Sequence, residues 1–79
     1  MYYRIINFTL LAPSLWAMIN QFKSSNVKII KLGDNKGIII ETFNNSSQAG
    51  KSTKVLASMQ SMKAQAMAKV LVEEGTEII

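Results

Sequence analysis

The period of apolar and polar positions changes several times along the chain, and each change marks an element. Tyr2 to Leu10 is β-branched, aromatic and aliphatic with few breaks, the composition of a strand buried on at least one face. Pro13 holds Ala12 in extended geometry and has no N–H to donate, so it ends that strand and suits the first turn of a helix. Leu15, Met18, Ile19 and Phe22 then recur at helical spacing, with Trp16 at the margin of the stripe, and predict a helix ending near Ser24 or Ser25. Val27 to Leu32 and Ile38 to Phe43 are two short apolar runs joined by Gly33-Asp34-Asn35-Lys36-Gly37, which supplies the turn of an antiparallel hairpin. In the second run Ile38, Ile40 and Thr42 alternate with Ile39, Glu41 and Phe43, while Lys28 and Lys31 fall on opposite faces of the first. At least one sheet face is therefore partly wet.

Asn44 to Gly50 is a polar connector in which Ser46 or Ser47 is the expected N-cap of a long helix reaching about Glu74. Val55, Met59, Met62, Ala66 and Val70 form its apolar stripe, widened by Leu56, Met67 and Leu71, and Lys54, Ser58, Ser61, Gln65 and Lys69 line the other side. At roughly 25 residues, or about 37 Å, it exceeds what a small sheet covers, so part of it is expected to project or to pack on another subunit. Gly75 then ends the helix, and Thr76 to Ile79 has the β propensity of a short last strand. The resulting β-α-β-β-α-β order resembles the split βαβ, or ferredoxin-like, arrangement. The expected fold class is α+β, an antiparallel sheet with two helices on one face, the second helix long.

Composition narrows the chemistry. Seventy-nine residues make one domain, 1–79, and 48% apolar residues with 18% charged ones argue for a folded core and against disorder. There is no cysteine and no histidine, which removes disulfides, thiolate zinc sites and the usual general base, and points to a binding protein without cofactor or metal. The apolar stretch from Ile5 to Ile19 behind Arg4 has the look of a signal peptide. Asn7, Thr9, Pro13 and Ser14 interrupt it, however, and it is too broken to span a membrane. A buried strand followed by a helix is the better reading, in a cytoplasmic protein with no membrane partner.

Two motifs carry candidate chemistry. Ala49-Gly50-Lys51-Ser52-Thr53 ends like a phosphate-binding loop, but position 45, where the first glycine belongs, is Asn45, so the segment reads as an ordinary helix start with a solvated lysine. Lys36-Gly37-Ile38-Ile39-Ile40-Glu41-Thr42-Phe43 resembles the third-strand motif of RNA-recognition domains, which share the element order. That family stacks bases on aromatics where this chain has Ile38 and Ile40, leaving Phe43 with Tyr2 or Tyr3 as the remaining platform. The acids Asp34, Glu41, Glu73, Glu74 and Glu77 form no paired-carboxylate pattern, and Ser52 with Lys54, or Ser61 with Lys63, would point to different helix faces.

The function expected from these features is that of a small protein-binding module. Its size, its net charge of +4 and the 24 Ile, Lys and Asn residues among 79 suit a phage or mobile-element accessory protein that inhibits or redirects a host protein complex. Lys51, Lys54, Lys69, Lys28, Lys31, Lys36, Met62 and Met67 are the candidate contact residues, and self-association through the long helix or an edge strand, as a homodimer, is expected. The alternative is a basic RNA- or single-stranded-DNA-binding domain using Arg4, Lys28, Lys31, Lys36 and the lysines of the long helix.

Overall fold

The computed structural model describes residues 1–78. Strand β1 is Tyr2–Leu10, and a 3-10 turn at Pro13–Leu15 leads into a short helix α1, Trp16–Asn20. Strands β2 (Val27–Lys31) and β3 (Lys36–Phe43) follow, then helices α2 (Ser46–Lys51) and α3 (Lys54–Ala66), and strand β4 (Met67–Thr76). The fold is α+β, with one four-stranded antiparallel sheet in the order β2-β3-β1-β4. The expected first strand, hairpin and intervening helix are present, although the helix stops about four residues early.

Alternation along the strands gives the sheet two unlike faces. Ile6, Phe8 and Leu10 of β1, Ile39 of β3, Val27 of β2 and Met67 of β4 are buried on one face. Ile19 of α1, with Met59 and Ala66 of α3, covers them, and Ala49 of α2 is buried nearby. Trp16 closes the α1 side: its ring meets Phe8 edge-on with centroids 5.5 Å apart, and its indole N–H donates to the carbonyl of Asp34 at 2.6 Å. Gly37 lies directly beneath this pair.

The long helix is replaced by three elements, and the reasons are local. Asn45, rather than Ser46 or Ser47, caps α2, its side chain accepting from the Gln48 N–H at 2.9 Å while the Gln48 side chain accepts from the Asn44 N–H. The helix then breaks at Ser52 and Thr53, and α3 ends at Ala66, whose carbonyl accepts from the Leu11 N–H at 3.0 Å. Beyond it Val70 and Val72 turn inward and Lys69, Leu71 and Glu73 outward, the period of a strand paired with β1. Ala68, Lys69, Leu71, Glu73 and Glu74 read as helical because each has good helix propensity, yet the ladder with β1 overrides that weak preference. The last strand thus ends at Thr76 instead of beginning there; Glu77 and Ile78 follow it, and Ile79 lies outside the described residues.

At the other end of the covered face sits Arg4, 1% exposed. Its Nε donates to Glu74 at 2.9 Å, Nη1 to Glu41 at 3.3 Å and to the carbonyl of Ser52 at 2.8 Å, and Nη2 to the carbonyl of Ala49 at 2.7 Å. The guanidinium also lies 5.2 Å from the centroid of Phe43. Arg4 therefore binds the last carbonyls of α2 where the helix dipole is negative and joins β1 to both neighbouring strands. The expectation that Arg4 faces a nucleic acid is corrected by this burial. So is the expectation that Glu74 ends a helix.

Two carboxylates compete for this one cation. The Arg4 hydrogen bond, and a second from the Tyr2 hydroxyl, hold Glu74 below the usual carboxylate range. Burial pushes Glu41 up, against the attraction of Arg4. Glu74 thus stabilises the fold above its unfolded pKa and loses that contribution as pH falls through its lower folded value. Glu41 acts in the opposite sense: its contribution is present in acid and is lost as pH rises through its raised folded value.

Two outcomes follow for urea unfolding. Gly37→Ala would place a Cβ 2.6 Å from Trp16 Cη2 and 2.7 Å from Phe8 Cζ, so it is expected to destabilise by about 1–3 kcal/mol. An unchanged midpoint would show that Trp16 does not seat over this glycine. The stability advantage of the wild type over Glu74→Gln is expected to shrink between about pH 6 and about pH 3, and an advantage that grows on acidification contradicts the ion pair.

Candidate functional site

Among the described residues no helix lies on the second face of the sheet. Strand register places its side chains in rows running from β2 to β4. One row is Ile30, Ile38, Asn7 and Leu71, and the next is Lys28, Ile40, Ile5 and Glu73. Beyond the first, Lys36 and Lys69 flank Thr9, and beyond the second, Thr42 and Gly75 flank Tyr3. Ile30 is 42% exposed and Leu71 47%, while Ile5, Ile38 and Ile40 are half-buried among their neighbours. The site is an aliphatic band across four strands, with lysines on β2, β3 and β4 around it and Glu73 on the β4 edge.

Why this face is aliphatic follows from the pairing. Central strands β1 and β3 are β-rich in both alternating sets, so turning Ile6 and Ile39 inward leaves Ile5, Ile38 and Ile40 outward. The edge strands are blunted against ladder addition by Lys28 and Lys31 on β2 and by Lys69, Glu73 and Glu74 on β4. At the β4 corner the Tyr3 hydroxyl donates to Glu77 at 2.6 Å, and this hydrogen bond, followed by desolvation, raises the phenol above its ordinary value.

The expected contact residues do not form one patch. Lys28, Lys36 and Lys69 share the uncovered face. Lys31 points to the covered side, its ammonium 5.3 Å from the Trp16 ring centroid. Lys51 ends α2 and Lys54 begins α3, on the far side of the molecule from the band. Met67 is buried in the core and Met62 is packed against it, so the soft residues fill the interior and do not form a docking surface. The base-stacking platform is also taken apart: Phe43 and Tyr2 lie on the covered face and Tyr3 on the other.

Lys51 and Lys54 instead rim a cleft of about 600 Å³ together with Lys23, with Glu41 and Val27 among its lining residues. Glu41 is held there by Arg4, and the neighbouring Ser24 hydroxyl is spent on Asn26 Oδ1 at 3.0 Å. The Gly50-Lys51 segment closes α2, and the Ala49 and Ser52 carbonyls beside it are bound to Arg4, while the helix start falls later, at Thr53 and Lys54. Among the described residues no cluster of three or more acidic side chains is placed to hold a metal ion, and no helix is long and apolar enough to cross a membrane.

The aliphatic surface was the part that sequence reasoning missed. Its signal was present in the alternation of Ile38, Ile40 and Thr42 with Ile39, Glu41 and Phe43. Period alone does not say which of two apolar faces the helices cover.

No family model matches the chain, and no curated protein does. Among solved structures it is similar to the crystal structure of the NE2512 protein of unknown function from Nitrosomonas europaea, with a TM-score of 0.65 at 12% identity over 99% of this chain and 93% of that one. That likeness extends over the whole chain and concerns the fold alone.

Proposed function

We propose that the chain is a small non-enzymatic protein-binding module that presents the uncovered sheet face to a protein partner. The observation carrying this reading is the aliphatic band of Ile30, Ile38, Leu71, Ile40 and Ile5. Aliphatic surface gains by leaving water, at about 25 cal/mol per Å², and protein offers the complementary apolar surface. Nucleic acid gains less from such a face, because bases stack on aromatic rings and the band has none at its centre. The ferredoxin-like reading belongs with this proposal and is supported by the β2-β3-β1-β4 order, with β1 and β3 in the middle. The setting proposed is that of a phage or mobile-element accessory protein acting in the cytoplasm on a host protein complex, whichever surface that complex meets.

Ile30→Lys with Leu71→Lys tests the reading, since both side chains are exposed and their replacement is expected to leave the urea midpoint within about 0.5 kcal/mol. Retention of protein from an extract of the source cell on the immobilised chain is expected to fall by about tenfold or more in the double variant. Undiminished retention would place the partner on another surface. Gel retardation of RNA or single-stranded DNA that falls steeply with salt would replace this reading with nucleic-acid binding.

A further inference from the structure

We infer that the occupant of the uncovered face is a second copy of this chain, related by a two-fold axis parallel to the strands and lying between β1 and β3. The inference rests on the protein-binding reading of that face and names its partner. It comes from the order of residues across the sheet. The row Lys28, Ile40, Ile5, Glu73 has a cation on one edge strand, an anion on the other and two isoleucines between.

A two-fold axis along the strands, in the plane between two facing sheets, exchanges β2 with β4 and β3 with β1 while keeping each row at its own height. Lys28 then faces Glu73 of the second copy and Ile40 faces its Ile5, and symmetry repeats each pairing. In the adjacent row Ile30 faces Leu71 of the second copy and Ile38 faces its Asn7. The charged ends of the row are thus complementary to themselves, and the aliphatic middle meets aliphatic. A two-fold axis across the strands does worse: centred between the rows it lays Lys28 on Ile30 and Glu73 on Leu71, centred on the charged row it lays Lys28 on Lys28, and centred on the Ile30 row it pairs Glu73 with Lys69 but lays Lys36 on Ile40 and leaves Lys28 without an anion. Those arrangements desolvate unpaired charges or oppose like ones.

Size fits as well. Strands about 4.8 Å apart with a rise of about 3.4 Å per residue give the face a plan area of roughly 500 Å². Side chains standing off the sheet raise the accessible area above that, towards the roughly 800 Å² per partner of an ordinary interface. Facing sheets pack with their strands about 30° apart because each is twisted. The flexible arms of Lys28 and Glu73 reach across that angle at the corners.

Sedimentation equilibrium of the full chain over a concentration series tests this. The wild type is expected to be dimeric. Lys28→Glu alone and Glu73→Lys alone each turn two attractive contacts into repulsive ones, and each is expected to raise the dimer Kd by about tenfold or more. The double variant Lys28→Glu/Glu73→Lys restores opposite charges and is expected to return to within about threefold of the wild type. Both residues are exposed and outside the Arg4 cluster, so an unchanged far-UV circular dichroism spectrum will verify that the variants are folded, the urea midpoint itself shifting with the dimer Kd. A wild type that stays monomeric to about 1 mM, a dimer indifferent to the single swaps, or a double variant no tighter than the singles would each overturn the proposal. A monomer that still retains another protein, and loses it in Ile30→Lys/Leu71→Lys, would remove the second copy while leaving the protein-binding reading intact.

Discussion

The guanidinium of Arg4 lies inside the protein, and the surrounding elements are placed so as to satisfy it. Its hydrogen bonds go to carboxylates on β3 and β4 and to two carbonyls at the end of α2. Removing one partner from a buried ion pair of this kind costs about 3–5 kcal/mol, a large share of the 5–15 kcal/mol by which an ordinary domain is stable. A chain of 79 residues has little margin beyond that. Two of the three elements that Arg4 holds are ones whose course the residue pattern alone leaves open: where the helix after β3 breaks, and whether Glu74 belongs to a helix or a strand.

The uncovered sheet face is a consequence of the same tie. Drawing the end of α2 onto the Arg4 side of β1 puts α3 on that side too, and Met59 and Ala66 then fill the core over Ile6 and Ile39. The opposite set of side chains on β1 and β3 receives no cover. Because those central strands carry Ile5, Ile38 and Ile40 on their outer sets beside Asn7 and Thr9, what is left outside is a band of isoleucines with the Leu71 of β4, crossed by one row of opposite charges. Burial of Phe43 under the helices removes the aromatic that a base would need, which moves the balance towards protein.

Much of the fold is legible in the residues. Composition alone places β1 at Tyr2–Leu10, and the Gly33–Gly37 segment places the β2-β3 hairpin. The region after Gly50 is not legible in the same way. Good helix formers such as Ala68, Lys69, Leu71 and Glu73 make β4 look like the continuation of α3, and only pairing with β1, at the far end of the chain, reverses that preference. The candidate site divides along the same line. Lys28, Lys36 and Lys69 on the uncovered face are found by charge, whereas the isoleucines beside them carry no local mark that separates them from core, and Met62 and Met67 mislead because softness suits an interior as well as a surface.

Methyl NMR of the isoleucines on serial dilution tests the central claim, that the chain acts through the face its helices leave open. Resonances of Ile5, Ile38 and Ile40 are predicted to move with concentration while those of Ile6, Ile19 and Ile39, fully buried under the helices, stay in place. Movement confined to the buried set, or none in either set with or without added partner, would contradict the account.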